Sequence, residues 1–225
     1  MPAVGFRITN CIQRPPRDLV EGFAGLPVAN IADNMSRMFC VAARIRPVNS
    51  VPLLGPALTV KARPGDNLLL HKALDLAEPG DIIVVDGQGD TANSLMGELM
   101  VRWAMRRRIG GFVIDGAIRD LSTLKILPIP VYAAGVTPAG PYKEGPGEIN
   151  GVVSCGGVTV HPGDIVVGDD DGVVVIAPAD APDILATSRA KMRDEEKTRE
   201  EIEQDRWDRA WVDKTLAAKG CRVVD

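Results

Sequence analysis

Ile82-Ile83-Val84-Val85-Asp86-Gly87-Gln88-Gly89-Asp90, together with the later run Phe112-Val113-Ile114-Asp115-Gly116-Ala117-Ile118-Arg119-Asp120, decides the fold. Residues 82–85 are too few for a helix and β-branched throughout, so they form a buried strand. The glycine-rich run 86–90 is expected to end that strand. A helix over residues 93–108 then follows, with Leu95, Leu99, Met100 and Trp103 on or near its inward face. Residues 112–114 form the next strand. Strand, glycine loop, helix and strand in this order make a right-handed crossover between parallel strands, and ligands of such units gather at the carboxyl ends of the strands.

Outward from this unit, Pro-Gly-Asp recurs at 64–66, 79–81 and 162–164, each time as a turn into the next element. Asp66 is placed to cap a helix whose apolar positions include Leu69, Ala73 and Leu76. Near the start, Asn30 is placed to cap a short helix, with Asp33 answering it as in a weak capping box. Asp33 is then either a cap or solvated carboxylate, or a pocket residue. Residues 129–133 form a strand, and residues 135–151, rich in Gly and Pro, a shaped surface loop. Strands follow at 158–160, 165–167 and 173–176, the last two joined by the hairpin turn Asp169-Asp170-Asp171-Gly172.

From about Pro182 the pattern is helical and densely charged, with Trp207 and Trp211 one helical turn apart. Exposure of both tryptophans is costly, so they pack against a neighbouring subunit or back onto the same chain. The expectation is a compact, layered α/β domain with mixed parallel and antiparallel pairing over residues 25–181. An N-terminal extension (1–24) precedes it, and a charged C-terminal helical segment (182–225) follows as a subunit contact.

The chain of 225 residues is 45% hydrophobic, enough for one substantial core. Its 26 Lys and Arg against 30 Asp and Glu give a formal charge of −4, which disfavours a nucleic-acid partner. No apolar run reaches the length of a membrane span and the start has no secretory pattern, so a cytoplasmic protein without a membrane is expected. Cys11, Cys40, Cys155 and Cys221 lack the paired spacing of a zinc site and are read as reduced thiols.

The glycines at 87, 89 and 97 fit neither a dinucleotide fingerprint nor a phosphate loop, but they permit a small anion to approach backbone N–H groups. Arg119 and Asp120 are the sharper signal. At the end of a strand, Arg119 clamps a carboxylate with its two-pronged donor geometry, and Asp120 binds a hard divalent cation through oxygen. The competing reading is a pair of structural salt bridges. Glu98 offers a second acidic group at the same mouth. His71 and His161 are too isolated to imply zinc, and His71 is read as a surface or packed histidine. No serine elbow is present, Cys155 has no evident base beside it, and Lys61, Lys72 and Lys125 have no Schiff-base context.

On the strength of Pro79-Gly80-Asp81, Asp86-Gly87-Gln88-Gly89-Asp90, Gly97-Glu98-Leu99-Met100, the run from Asp115 to Asp120, and the run from Pro162 to Val175, the chain resembles a known family. That family contains the regulator of ribonuclease activity A and the class II 4-hydroxy-4-methyl-2-oxoglutarate aldolases and oxaloacetate decarboxylases. The resemblance covers roughly residues 25–200. It implies a swivelling-type domain assembled as homotrimers, sometimes hexamers, with the active site at a subunit boundary. It further implies a pyruvate-releasing lyase acting on a 2-oxo acid. In that likeness the backbone at Gly97, Glu98, Leu99 and Met100 holds the pyruvyl carboxylate, Arg119 contacts substrate oxygens, and Asp120 holds Mg²⁺ or Mn²⁺. Glu98 corresponds to an acidic position that holds metal-bound water, and Glu195 or Glu196 to an acid supplied by the neighbour's C-terminal helix. One departure is Thr123, where the aldolase pattern carries a carboxylate. The alternative that the resemblance brings is a non-catalytic regulatory binding protein.

Overall fold

A computed structural model describes residues 4–222 and 224. Residues 1–3 of the expected N-terminal extension lie outside the described residues. The expected crossover is present, built from β4 (Ile82–Met96), α4 (Glu98–Arg106) and β5 (Gly111–Ile118), with β4 and β5 parallel. Its parts divide differently from expectation. The glycine-rich run does not end β4: the strand passes through register shifts after Asp86, Asp90 and Ser94 and pairs again through Met96 with Ile118. Residues 93–96 are therefore strand, and the helix begins at Glu98.

That displacement re-phases the helix. Leu95 is buried as a strand residue, and α4 buries Met100, Val101 and Ala104. Leu99 and Trp103 stand on its outer side, 81% and 51% exposed.

Before this unit come β1 (Phe6–Ile8), α1 (Arg17–Glu21), α2 (Val28–Asn34), β2 (Arg46–Pro47), β3 (Leu53–Ala62) and α3 (Leu68–Leu76). After it come α5 (Leu121–Leu124), β6 (Val131–Val136), β7 (Gly147–Ile149), β8 (Val153–Cys155), β9 (Val158–Val160), β10 (Ile165–Asp169) and β11 (Gly172–Ile176). The sheet runs β1-β7-β3-β4-β5-β6-β2, with β3, β4, β5 and β6 parallel, β7 antiparallel to β3 but parallel to β1, and β2 antiparallel to β6. The antiparallel hairpin β10–β11 joins through β3. The mixed α/β expectation is met.

Alternation along the strands splits the core between the two faces of the sheet. Ile83, Val85, Phe112 and Ile114 pack with Leu69, Leu70, Ala73 and Leu74 of α3 and with Val101 and Ala104 of α4. Ile82, Val84 and Val113 face the other way, against Tyr132, Cys155, Val160 and Val166.

Local expectations fare unevenly. The N-cap of α3 is Asn67 and not Asp66, which stands one residue earlier; Asp66 accepts the Leu68 N–H at 2.9 Å and the N–H groups of Glu144 and Gly145 at 2.6 and 2.9 Å. Asn30 is not a cap: it lies buried inside α2, which starts at Val28. The Val28 N–H instead finds Asp169 Oδ2 at 2.9 Å, across the fold. Asp33 pairs with Arg37 at 2.7 Å. The loop 135–151 contains β7, which lies beside β3 with Gly147 and Ile149 buried. The turn Asp170-Asp171 closes the β10–β11 hairpin as expected.

The chain forms two units, residues 1–188 and 189–225. Helix α6 (Ala181–Glu203) carries ion pairs along its surface, including Lys191–Glu195 at 3.8 Å and Arg199–Glu196. Helix α7 (Ala210–Ala218) buries none of its residues. Trp207 precedes α7 and Trp211 lies within it, so the two do not share one helix; both are exposed, and Arg209 stacks 4.6 Å over the Trp207 ring.

Candidate active site

Arg119 and Asp120 follow directly on β5, where the strand stops and the chain turns into α5. Asp120 has φ 59° and ψ 36°, a left-handed conformation that Asp and Asn tolerate better than most residues. That turn brings its carboxylate back to the start of α4: the Glu98 N–H donates to Asp120 Oδ2 at 2.8 Å. Arg119 Nε lies 3.8 Å from the same oxygen, and the Arg119 N–H donates to Met96 O at 2.9 Å. Both side chains are part-exposed, at 46% and 40%.

The closeness depends on Gly97. A Cβ there would collide with Asp120 Oδ2 and lie 3.0 Å from Arg119 Cγ. The backbone at Gly97 is extended, so the demand is for space and not for an unusual φ.

Around this pair is a cavity of about 330 Å³, whose wall includes Gly97, Leu99, Met100, Arg119, Asp120 and, from elsewhere, His71 and Lys143. The residues expected at 97, 99, 100, 119 and 120 thus come together. The N–H groups of Leu99 and Met100 belong to the first turn of α4, where a helix offers no internal acceptor and the dipole favours an anion. Glu98 contributes its backbone to the arrangement, while its carboxylate is held by Arg102 Nε at 2.6 Å. Thr123 is half-buried in α5 and is not part of the cavity wall. Glu195 and Glu196 lie on α6 in the second unit.

Among the wall residues that the sequence did not single out as site residues are Asn67, His71 and Lys143. Asn67, buried before α3, donates through Nδ2 to Leu95 O at 2.9 Å and to Met100 Sδ at 3.5 Å, tying α3 to both sides of the Gly97 turn. His71 lies one turn further on α3, and Lys143 comes from the loop before β7. Partial burial and the charge of Lys143 lower the His71 pKa, against a smaller raising effect of Asp75. The only legible signal was the position of Asn67 and His71, four residues apart and off the apolar stripe of α3.

The glycine loop 86–90 belongs elsewhere. Lys61, Asp86 and Asp115 stand side by side on β3, β4 and β5, on the face opposite α3 and α4. With Arg44, Gln88 and Ser154 they line a separate open cavity. Arg44 Nη2 lies 2.7 Å from both Asp115 oxygens, and the Gly156 N–H donates to Asp115 Oδ2 at 2.8 Å. Of the three glycines read as permitting an anion to approach, only Gly97 lines the Arg119 cavity; Gly87 and Gly89 belong to this second region, beside two buried carboxylates. Cys155 beneath it is buried, and desolvation with the charges of Asp115 and Asp86 pushes its thiol well up, away from a nucleophilic thiolate. His161 pairs with Asp164 at 3.6 Å, Lys72 with Asp75 at 3.9 Å, and neither they nor Lys61 and Lys125 line the Arg119 cavity.

Residues 28–175, which hold every described element of this site, match the RraA-like family, Aldolase/RraA. The chain belongs to that family. Among relatives of this RraA-like chain, a Halalkalibacterium halodurans protein provisionally named a 4-hydroxy-4-methyl-2-oxoglutarate aldolase is 39% identical over 180 residues, 80% of this chain and 86% of the relative. An RraA protein of Streptomyces coelicolor, described as an unusual member of the RNase ES inhibitor family, superposes with TM-score 0.76 at 27% identity, covering 84% of this chain and 99% of its own. The RNA-processing inhibitor RraA of the Thermus structure gives TM-score 0.62 at 28% identity, covering 67% and 92%. Among the described residues no helix is long and apolar enough to cross a membrane.

Proposed function

We propose that this RraA-like chain is a divalent-metal-dependent lyase that cleaves a 2-oxo acid to give a pyruvate enolate. The substrate is a 4-hydroxy-2-oxo acid of the 4-hydroxy-4-methyl-2-oxoglutarate type, and oxaloacetate is decarboxylated through the same enolate. One observation carries the reading: Arg119, Asp120 and the first turn of α4 meet in one small cavity. The relative provisionally named as an aldolase supports it.

The donor set suits Mg²⁺ or Mn²⁺. Among the described residues no cluster of three or more His, Cys, Asp or Glu side chains is present. Magnesium needs few protein oxygens because water completes its octahedron. Asp120 meets that need, since Glu98 N–H engages one of its oxygens and the side chain stays open to the cavity. When bound there, the ion supplies Lewis-acid stabilisation of charge on the 2-oxo oxygen.

The chain's own residues do the rest. Leu99 and Met100 N–H groups receive the substrate carboxylate, and Arg119 lays its guanidinium against the oxygens that gain charge as the C–C bond breaks. Such donors lower the barrier because they are fixed before the charge develops.

The active unit is a homotrimer, with hexamers as pairs of trimers. Leu99 and Trp103, exposed beside the cavity, are the apolar surface that a second copy covers, and Glu195 or Glu196 of a neighbour completes the acidic set. The likeness to the Thermus and Streptomyces proteins favours a second reading, a regulatory binding protein without turnover. The deciding experiment is pyruvate release from a panel of 4-hydroxy-2-oxo acids and oxaloacetate with Mg²⁺, Mn²⁺ or chelator. Metal-stimulated release supports the lyase; its absence across the panel supports the binding protein.

A further inference from the structure

We propose that His71 is the proton carrier of the cleavage reaction. Its imidazole takes the proton of the substrate's 4-hydroxyl as the C3–C4 bond breaks, and returns it to C3 of the product enolate. The inference rests on the lyase reading above and assigns a role that the expected carboxylate, replaced by Thr123, leaves vacant.

Aldol cleavage needs a group that accepts and releases a proton near neutral pH. The ionisable side chains of the cavity wall are His71, Arg119, Asp120 and Lys143. Arginine and lysine side chains ordinarily hold their protons through the neutral range, and Asp120 is occupied with the metal and the Glu98 N–H. Histidine is the side chain whose charge changes there. Among the described residues nothing hydrogen-bonds the His71 imidazole, whereas the other histidine, His161, is engaged by Asp164.

Its placement is fixed by packing. Leu69, Leu70, Ala73 and Leu74 anchor α3 in the core, which turns His71 outward to the cavity. The His71 N–H donates to Asn67 O at 3.0 Å, and Asn67 Nδ2 reaches Leu95 O and Met100 Sδ. The base is thereby held one helical turn from a clamp on the segment that receives the carboxylate. His71 and Arg119 line the same cavity of about 330 Å³, so an acid bound at Arg119 shares that space with the imidazole.

The charged groups around His71 agree with a base. Partial burial and then Lys143 favour the neutral ring; Asp75, one turn along α3 and shared with Lys72, opposes them more weakly. Arg119 and Asp120 enter the cavity as an oppositely charged pair.

The step balances within the site. The hydroxyl proton goes to an imidazole nitrogen, the O–H electrons form the C4 carbonyl, the C3–C4 pair becomes the C2–C3 double bond, and the π pair of the 2-oxo group moves onto its oxygen to give the enolate. The imidazolium then gives that proton to C3, forming the methyl of pyruvate and restoring the neutral ring. Oxaloacetate loses carbon dioxide without any hydroxyl proton to remove, and its enolate takes the C3 proton from water, so its cleavage depends on His71 much less.

The test is His71→Gln, on the side of α3 away from its buried Leu69, Leu70, Ala73 and Leu74, where folding is little affected. With the metal-loaded protein, turnover of a 4-hydroxy-2-oxo acid should fall on the order of 100-fold, while oxaloacetate decarboxylation stays within about threefold. The wild-type kcat/KM for the hydroxy acid should rise with pH along a limb that the variant lacks. In the metal-free protein, NMR titration of the imidazole should give a pKa below the ordinary value of about 6.5, rising in Lys143→Met. Unchanged aldol turnover, an equal fall in both reactions, or a persisting limb overturns the assignment while leaving the lyase reading intact. A wild-type protein inactive in both reactions overturns the lyase reading, and this assignment with it.

Discussion

The Glu98 N–H and Asp120 Oδ2 stand 2.8 Å apart, so the carboxylate assigned to the metal is also the acceptor at the start of α4. One residue thus links the chemistry to the placement of the helix turn that holds the substrate.

Asp120→Asn separates these duties. Asparagine tolerates the left-handed backbone and keeps an acceptor for the Glu98 N–H, but it loses the charge. The variant should remain folded with melting close to wild type, and metal-stimulated pyruvate release should drop on the order of 100-fold. Asp120→Ala should lose the same activity and about 1 kcal/mol of stability besides, because the cap goes as well. Turnover near wild type in the Asn variant would remove Asp120 from the metal.

Gly97→Ala tests space. The added methyl meets Asp120 Oδ2 and Arg119 Cγ, neither of which can retreat without altering the cavity. Expected are a stability loss of about 1–3 kcal/mol and at least a tenfold fall in kcat/KM. A variant with wild-type kinetics would show that the Gly97 contact does not set the site geometry.

Arg119→Lys keeps the charge and loses the rigid fork. Its kcat/KM for oxaloacetate should fall at least tenfold, a sensitivity that a structural salt bridge has no reason to produce. Steady-state kinetics of the two proteins side by side decide it.

Trp103→Glu places a charge on the outer side of α4. If a second copy covers Leu99 and Trp103, the variant should shift to smaller species in light scattering, and pyruvate release should decline with it. An unchanged mass at the same protein concentration would put the subunit contact elsewhere.

Arg14→Met addresses the opposite end of the strands. Arg14 donates to both oxygens of Asp81 at 2.8 and 2.7 Å, and Asp81 is buried. Removing the guanidinium leaves a buried carboxylate without its cation, so unfolding in denaturant should show a loss of about 2–3 kcal/mol with the slope unchanged.

How far the sequence disclosed this can be followed in single residues. Residues 82–85 and 112–114 were legible as strands because an uninterrupted β-branched or apolar run buried on both faces has few other uses. The end of β4 was not, since Gly87, Gly89 and the polar residues after them read as a loop, while pairing with β5 continues past the bulges. That misplaced start reversed Leu99 and Trp103, because a helix shifted by a few residues presents a different face. Arg119 and Asp120 were visible from their position after a buried strand. His71 and Lys143 were not, since α3 and the loop before β7 reach the cavity only through tertiary packing. Likewise the cap of α2 comes from Asp169, 141 residues away, a partner that no local pattern of Ser, Thr, Asn or Asp records.

Strand β3 changes neighbours along its length: residues 53–56 pair with β10, residues 57–61 with β4, and residues 60–62 with β7. No seam therefore runs between the hairpin and the crossover unit along which they could come apart. Opening either one breaks hydrogen bonds on a strand the other requires, so residues 1–188 should exchange their slowest amide protons in a single cooperative event. The wall that carries His71 and the turn that carries Asp120 then share one lifetime, and the site is lost or regained as a whole.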